Sequence, residues 1–171
     1  MTGQIGQVSN RVKTIIKLIS TGFYLGYCPI ASGTVGSLLG VLIYLAFREF
    51  IYVYIAITVL LFILGFLVSQ KAEEIFDEKD SPKIVIDEIA SMCLVYIFIK
   101  PTWLMVGFGF LLFRVFDIMK PYPAKRLEKL SGSKGIMLDD VVAACYAILG
   151  VVILNLFLEA GVFSFGDKVI S

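Results

Sequence analysis

The chain has 171 residues, of which 58% are hydrophobic and 17% are charged, and its mean hydropathy is +0.90. Soluble domains are about half apolar and about a quarter charged, so this composition predicts an integral membrane protein. A formal net charge of +1 without a basic stripe excludes nucleic acid as a partner, and the lack of any histidine excludes histidine chemistry.

The N-terminal segment, residues 1–21, predicts an amphipathic helix after about ten uninformative polar residues. Its apolar residues share one helical face, whereas its basic residues lie elsewhere; the apolar set is Val12, Ile15, Ile16 and Ile19, and the basic set is Arg11, Lys13 and Lys17. Such a helix either lies on an anionic membrane surface or packs against the protein's own helices.

A glycine-rich loop follows, GYCPIASGTVGS, at residues 26–37. It predicts an irregular segment that enters a helix near Thr34. The amides of a helix start attract anions, and Gly33 and Gly36 would allow a phosphate to approach the backbone closely. The alternative is an ordinary glycine-rich helix entry with a Thr or Ser cap.

Five apolar runs predict the rest of the fold: 38–47, 51–68, 84–99, 103–116 and 141–158. An aqueous segment at 70–82 and a tight turn at Lys100-Pro101 separate some of them. Counted from Thr34, the first run reaches roughly 21 Å, which is short of a hydrocarbon core of about 30 Å. We expect an all-α integral membrane protein with about five transmembrane helices, forming a single domain over 1–171 with its bundle at 34–158.

The basic residues predict the orientation of this bundle. Twelve of the fifteen fall on one side of the five runs, and three on the other. The larger set is Arg11, Lys13, Lys17, Lys71, Lys79, Lys83, Arg114, Lys120, Lys125, Arg126, Lys129 and Lys134; the smaller is Arg48, Lys100 and Lys168. By the positive-inside rule the N-terminus is cytoplasmic, and five spans put the C-terminus outside.

Charged residues gather at the cytoplasmic boundary of three runs, at the same side as the glycine-rich loop that opens the first run. They are Asp87 and Glu88 at the start of the third run, Arg114, Asp117 and Lys120 at the end of the fourth, and Asp139 and Asp140 at the start of the fifth. Acids at helix starts are common, and Arg114 with Asp117 could be a surface ion pair. However, a helix C-terminus disfavours an anion such as Asp117, and charge near apolar helices is costly.

Five carboxylates at one membrane face require a cation between them. Oxygen ligands without histidine or thiolate select Mg²⁺, or Mn²⁺, over zinc. Because Arg114 and Lys120 suit a phosphate, the set predicts phosphoryl chemistry on a lipid headgroup, with metal-activated water attacking a phosphomonoester. The alternatives are a small transporter or ion-coupled channel subunit that uses the same carboxylates, and a scaffold that binds anionic lipid.

Four motifs give the chain a resemblance to the phosphatidylglycerophosphatase A family over about residues 26–147. They are P-x-x-x-G-T-x-G-S from Pro29, V-x-D-E from Val85, F-R-x-F-D-x-x-K-P-x-P from Phe113, and G-I-M-x-D-D-x-x-A from Gly135. Ser32, Ser91, Ser133-Lys134 and Ala144 depart from the family pattern, whereas every charged position matches. The resemblance implies a magnesium-dependent phosphatase that acts on phosphatidylglycerophosphate at the cytoplasmic face of the bacterial inner membrane, a multi-pass location.

We assign roles to these residues as hypotheses. Asp87, Asp117, Asp139 and Asp140 hold the metal, with Glu88 as a ligand or base. Lys120 turns towards Asp117 and binds the substrate phosphate with Arg114, while Gly33, Thr34, Gly36 and Ser37 grip it from the other side. Alternatively, Lys120 snorkels to lipid headgroups.

Overall fold

The computed structural model of the protein describes residues 9–99 and 102–160, which form seven α-helices and one 3₁₀ turn, with no strand in these ranges. The elements are α1 Asn10–Ser20, the turn Leu25–Tyr27, α2 Ser32–Phe47, α3 Ile51–Phe76, α4 Ile86–Ile97, α5 Trp103–Met119, α6 Ala124–Leu127 and α7 Ser133–Glu159. The all-helical prediction is therefore confirmed. The expected turn at Lys100-Pro101 and position 168 lie outside the described residues.

Helix α4 is the centre of the bundle. Nine of its twelve residues are buried, and it packs against α2, α3, α5 and α7. At 1.5 Å per residue it is only about 18 Å long, too short to cross a hydrocarbon core by itself. Burial inside the protein explains its apolar sequence. Hydropathy alone does not distinguish such burial from contact with lipid.

Two glycines of α2 allow a close approach between α2 and the start of α4. A Cβ at Gly36 would lie 2.9 Å from the Val85 side chain, and one at Gly40 would lie 2.7 Å from Met92 Cβ. Both distances are shorter than van der Waals contact, so only glycine permits this separation of α2 from α4. The first turns of the two helices are thereby held side by side.

Two helices are long and apolar enough to cross a membrane: α3, with a mean hydropathy of 2.8, and α7, with 2.6. Only 22% of the apolar window of each is buried within the protein, so most of its surface faces outward. Helix α2 is a shorter apolar helix. The structure thus makes a membrane protein plausible, but it does not confirm five transmembrane helices.

Helix α1 contacts the protein and also keeps an exposed apolar face. Ile16 packs with Val68 and Ala72 of α3, while Val12 and Ile15 are 44% and 54% exposed. The predicted amphipathic helix is confirmed, and it packs against the protein's own helices through one of its sides. The other side leaves apolar surface free.

Two helix boundaries differ from the sequence prediction. Helix α3 continues through the charged residues after Val68 as far as Phe76, and α7 begins at Ser133 rather than at position 141. Tertiary contacts hold both extensions, because the backbone N–H of Gln70 donates to Ser133 Oγ at 2.9 Å. Asp139 and Asp140 therefore lie in the second turn of α7, not at its opening.

Neighbouring helices in the series α2, α3, α4, α5 and α7 alternate in direction. This order places the starts of α2, α4 and α7 and the end of α5 at one end of the bundle. Contacts of Ser37, Arg114 and Lys120 join the starts of α2 and α7 to the end of α5. The start of α4 joins the same end, since Val85 packs against Gly36. Charged residues that lie far apart in sequence thus meet in one place.

Candidate active site

Three carboxylates form the centre of the site. Asp87 and Glu88 come from the first turn of α4, and Asp140 comes from α7. One oxygen from each lies within 4.8 Å of the others, a spacing suited to ligands of a single cation. Asp87 is 7% exposed and Asp140 is 3% exposed, so this cluster, called the acidic cluster below, is shielded from water.

Several buried carboxylate oxygens lack a hydrogen-bond partner within the described residues. They are Asp87 Oδ1, Glu88 Oε2, Asp139 Oδ1 and Asp140 Oδ2. Buried polar atoms are normally satisfied, and an ionised oxygen left without a partner is costly. Four such atoms at one end of the bundle are the feature expected of a site that binds a cation.

Asp117 and Asp139 interact electrostatically with the acidic cluster, but each also binds a basic side chain. The charges of both act on Asp140. Asp117 Oδ2 lies 2.7 Å from Arg114 Nη1, and Asp139 Oδ2 lies 2.9 Å from Lys120 Nζ. The expected convergence of five carboxylates is thus present in space, while the role of these two as metal ligands stays a prediction.

Arg114 joins three parts of the site. Besides binding Asp117, its Nη1 donates to Ser37 Oγ at 3.3 Å. A Cβ at Gly33 would overlap Glu88 Oε1 and would lie 3.2 Å from Nη1 and Nη2 of Arg114. The missing side chain at Gly33 thus gives the guanidinium and the carboxylate their space. The buried Nε has no partner among the described residues.

Lys120 takes a different partner from the one expected. Its backbone leaves α5 before Pro121, as predicted, in the left-handed region with φ 44°. Its ammonium, however, donates to Asp139 Oδ2 and Glu128 Oε1, both at 2.9 Å, so the predicted pairing with Asp117 is wrong. Burial lowers the pKa of Lys120, but these two hydrogen bonds outweigh it and raise the pKa above its usual value, keeping the charge fixed.

The start of α2 is not capped by a hydroxyl. Its N-cap is Ala31, at a left-handed φ of 52° without a side-chain cap, so the alternative of a Thr or Ser cap is wrong. Ser32 Oγ donates to the Pro82 carbonyl at 2.6 Å, and Ser37 Oγ donates to the Gly33 carbonyl at 2.9 Å. Thr34 is half-buried, and Gly36 packs on Val85 rather than facing an open site.

Two side chains near the site were not identified from the sequence. Glu128 binds Lys120 across the proline turn, and no local pattern marks it. Ser91 is fully buried with an unpartnered Oγ, and as residue i+4 from Asp87 and i+3 from Glu88 it lies on their helical face, one turn deeper. Only its departure from the family motif drew attention to it.

Comparison with known proteins gives a consistent result. The family model described as Phosphatidylglycerophosphatase A matches residues 18–155. Proteins with that name from Haemophilus influenzae and Escherichia coli are 36% and 32% identical, over 78% and 74% of this chain and 85% and 75% of their own lengths. A Bacteroides thetaiotaomicron protein that carries the provisional name phosphatidylinositol-3-phosphatase is 32% identical, over 77% of this chain and 88% of its own. No solved structure matches the chain significantly.

Proposed function

The chain belongs to the phosphatidylglycerophosphatase A family. We propose that the acidic cluster, together with the basic side chains of Arg114 and Lys120, forms the active site that dephosphorylates its lipid substrate. The reaction converts phosphatidylglycerophosphate to phosphatidylglycerol and inorganic phosphate. One observation carries the assignment: buried oxygens of Asp87, Glu88 and Asp140 lie near Arg114, and neither they nor the buried Nε of Arg114 have a hydrogen-bond partner among the described residues. The transporter alternative has no support, since the family and its named relatives are phosphatases.

The charge of the site supports a bound divalent cation. Five carboxylates face two basic side chains, so a phosphate dianion would be repelled on approach. Oxygen-only ligands favour Mg²⁺, with Mn²⁺ as the alternative, and the unpartnered oxygens of Asp87, Glu88 and Asp140 fit such an ion. When bound, the ion would neutralise phosphate charge and make a bound water more acidic.

Arg114 is proposed as the main phosphate-binding residue. A guanidinium has five N–H donors, and Nη1 already serves Asp117 and Ser37. The Nε and Nη2 groups remain for two phosphate oxygens, which matches the planar, two-pronged recognition that arginine provides. The ion pair with Asp117 fixes the guanidinium before the substrate arrives.

Lys120 is proposed as a second phosphate-binding residue and Glu88 as the general base. Lys120 uses two of its three N–H donors on Glu128 and Asp139, so one is free for a phosphate oxygen. Glu88 would accept a proton from the attacking water through the oxygen that does not hold the ion, while the water oxygen bonds to phosphorus. The P–O bond to the headgroup glycerol would break in the same step, and the glycerol oxygen would take the proton from Glu88 and leave as a hydroxyl. Arg114 stabilises the charge that develops on the phosphoryl oxygens.

We further propose a multi-pass protein of the bacterial inner membrane with this site on the cytoplasmic side. The positive-inside count supports this orientation, because the basic loops lie at the same end of the bundle as the acidic cluster. The arrangement would let the site reach a headgroup at the bilayer surface while the acyl chains stay among the outward-facing apolar helices.

A direct test compares two lipids. Purified protein in neutral micelles is supplied with phosphatidylglycerophosphate or with phosphatidylinositol 3-phosphate, the substrate named for one relative, and released phosphate is measured. We expect turnover of the first lipid and at most slow turnover of the second. Preference for the inositol lipid would reassign the substrate, and release from neither would reject a phosphatase.

A further inference from the structure

A cavity of about 450 Å³ lies beside the acidic cluster and has no role in the reaction described above. Its lining includes Gly26, Tyr27, Cys28, Ser32, Pro82 and Lys83. It is continuous with the site along the chain, because Ser32 lines the cavity and the next residue, Gly33, lies against Glu88 and Arg114. A ligand that occupies the acidic cluster could therefore extend into this cavity within the length of one headgroup.

Two basic side chains contact one aromatic ring at the edge of this cavity. The ammonium groups of Lys17 and Lys83 lie 5.6 Å and 5.3 Å from the centroid of the same Phe76 ring. That ring in turn makes an edge contact with Tyr27, which lines the cavity, at a centroid distance of 6.2 Å. Lys83 thus lines the cavity itself, and Lys17 lies against the Phe76 ring that borders it.

Among the described residues, neither lysine has a carboxylate partner. The ammonium groups of Lys17 and Lys83 contact only the Phe76 ring there. Cation–π contact with the shared ring offsets part of the charge of each ammonium, but no carboxylate among the described residues neutralises either one. An anion would neutralise this charge. This wall therefore has the opposite charge balance from the acidic cluster, in which carboxylates outnumber cations.

We propose that this cavity, with Lys17 and Lys83, binds the phosphodiester of the substrate lipid while the acidic cluster holds the terminal phosphate; this rests on the proposed function. Phosphatidylglycerophosphate carries these two phosphates on either side of one glycerol unit. The glycerol would pass along Ser32, and the diester would be neutralised by the two ammonium groups. A substrate with one phosphate would lack the second contact, so the cavity selects for headgroups that carry both.

The product provides a probe for this site alone, because phosphatidylglycerol keeps the diester and lacks the terminal phosphate. Saturable binding of fluorescent-acyl phosphatidylglycerol to the purified protein in phosphatidylcholine micelles is measured for wild type, Lys17→Ala and Lys83→Ala. Lys13→Ala is the matched control, since Lys13 is an exposed lysine of the same helix one turn away. We expect each site variant to bind roughly tenfold more weakly, as for loss of one charged hydrogen-bond donor, and the control to bind as wild type does.

Inhibition separates the two phosphate sites in the same proteins. Phosphatidylglycerol should inhibit turnover less in Lys83→Ala than in wild type, whereas inhibition by inorganic phosphate, which needs only the acidic cluster, should not change. Equal weakening in Lys13→Ala would mean general attraction of anionic lipid to α1, and unchanged binding in Lys17→Ala and Lys83→Ala would overturn the proposal. Because binding is measured without turnover, an inactive wild type would reject the proposed function without deciding this site.

Discussion

Replacing Asp140 by asparagine should make the metal-free protein more stable while it abolishes activity. One oxygen from each of Asp87, Glu88 and Asp140 lies within 4.8 Å of the others. At an effective dielectric constant of about 20, two charges at this distance repel by about 3.5 kcal/mol. Arg114 and Lys120 offset much of this repulsion, so we expect a net gain of about 1–2 kcal/mol, or roughly 3–6 °C in Tm for a chain of this size.

The assay is thermal unfolding in detergent with EDTA and then with Mg²⁺, followed by phosphate release. Wild type should gain stability from the ion, because a ligand that binds only the folded state raises Tm, and Asp140→Asn should gain little. Glu74→Gln is the control: Glu74 is an exposed acid of α3, and its neutralisation should change stability by less than about 0.5 kcal/mol. A destabilised, active Asp140→Asn protein would refute the repulsion argument.

Three further predictions follow from the same geometry. Lys120→Ala should lower kcat roughly a hundredfold, about 3 kcal/mol, and Lys120→Arg should restore little; near-normal steady-state turnover in both would indicate a lysine that only reaches for lipid headgroups. Gly33→Ala should lower kcat at least tenfold, because the methyl group displaces the carboxylate and guanidinium beside it, whereas Gly107→Ala, which adds a Cβ with nothing within 4 Å, should keep wild-type rates; equal rates in the two would contradict this. Single cysteines at Glu49 and Glu78, in a background without native cysteines, should label from opposite sides of sealed vesicles; labelling from one side would reject a spanning α3.

The sequence predicted the helices well because each has a long apolar run or a clear amphipathic pattern. It also predicted that acids and cations at three helix ends would meet beside the glycine-rich loop. When successive helices alternate in direction, the number of helices between two charged ends decides whether those ends lie on the same side of the bundle. The acids on α4 and α7 belong to one cluster for that reason, although more than 50 residues separate them.

Local pattern failed where distant contacts decide the structure. Helix α3 extends into a charged segment because Ser133 binds the backbone of Gln70, and Lys120 turns to Asp139 because α7 begins earlier than its apolar run. Ser32, expected near a phosphate loop, instead bonds to Pro82, a residue 50 positions away. Neither composition nor periodicity contains that information.

Membrane topology shows a third limit. The run that forms α4 has the hydropathy of a membrane span, yet the helix is short and enclosed by its neighbours. Burial within protein and burial in lipid select the same side chains, so the count of five spans could not be derived from hydropathy. Among the helices of residues 9–99 and 102–160, α3 and α7 alone meet both the length and the composition of a span.

The most direct test of the central claim is phosphate release from phosphatidylglycerophosphate by the purified wild-type protein, measured first with EDTA and then after Mg²⁺ is restored, beside the Asp139→Asn/Asp140→Asn double variant. We predict release by wild type only when Mg²⁺ is present, and none by the double variant under either condition. Release by wild type in EDTA, or near-normal release by the double variant, would contradict a reaction that depends on these carboxylates and a cation they hold.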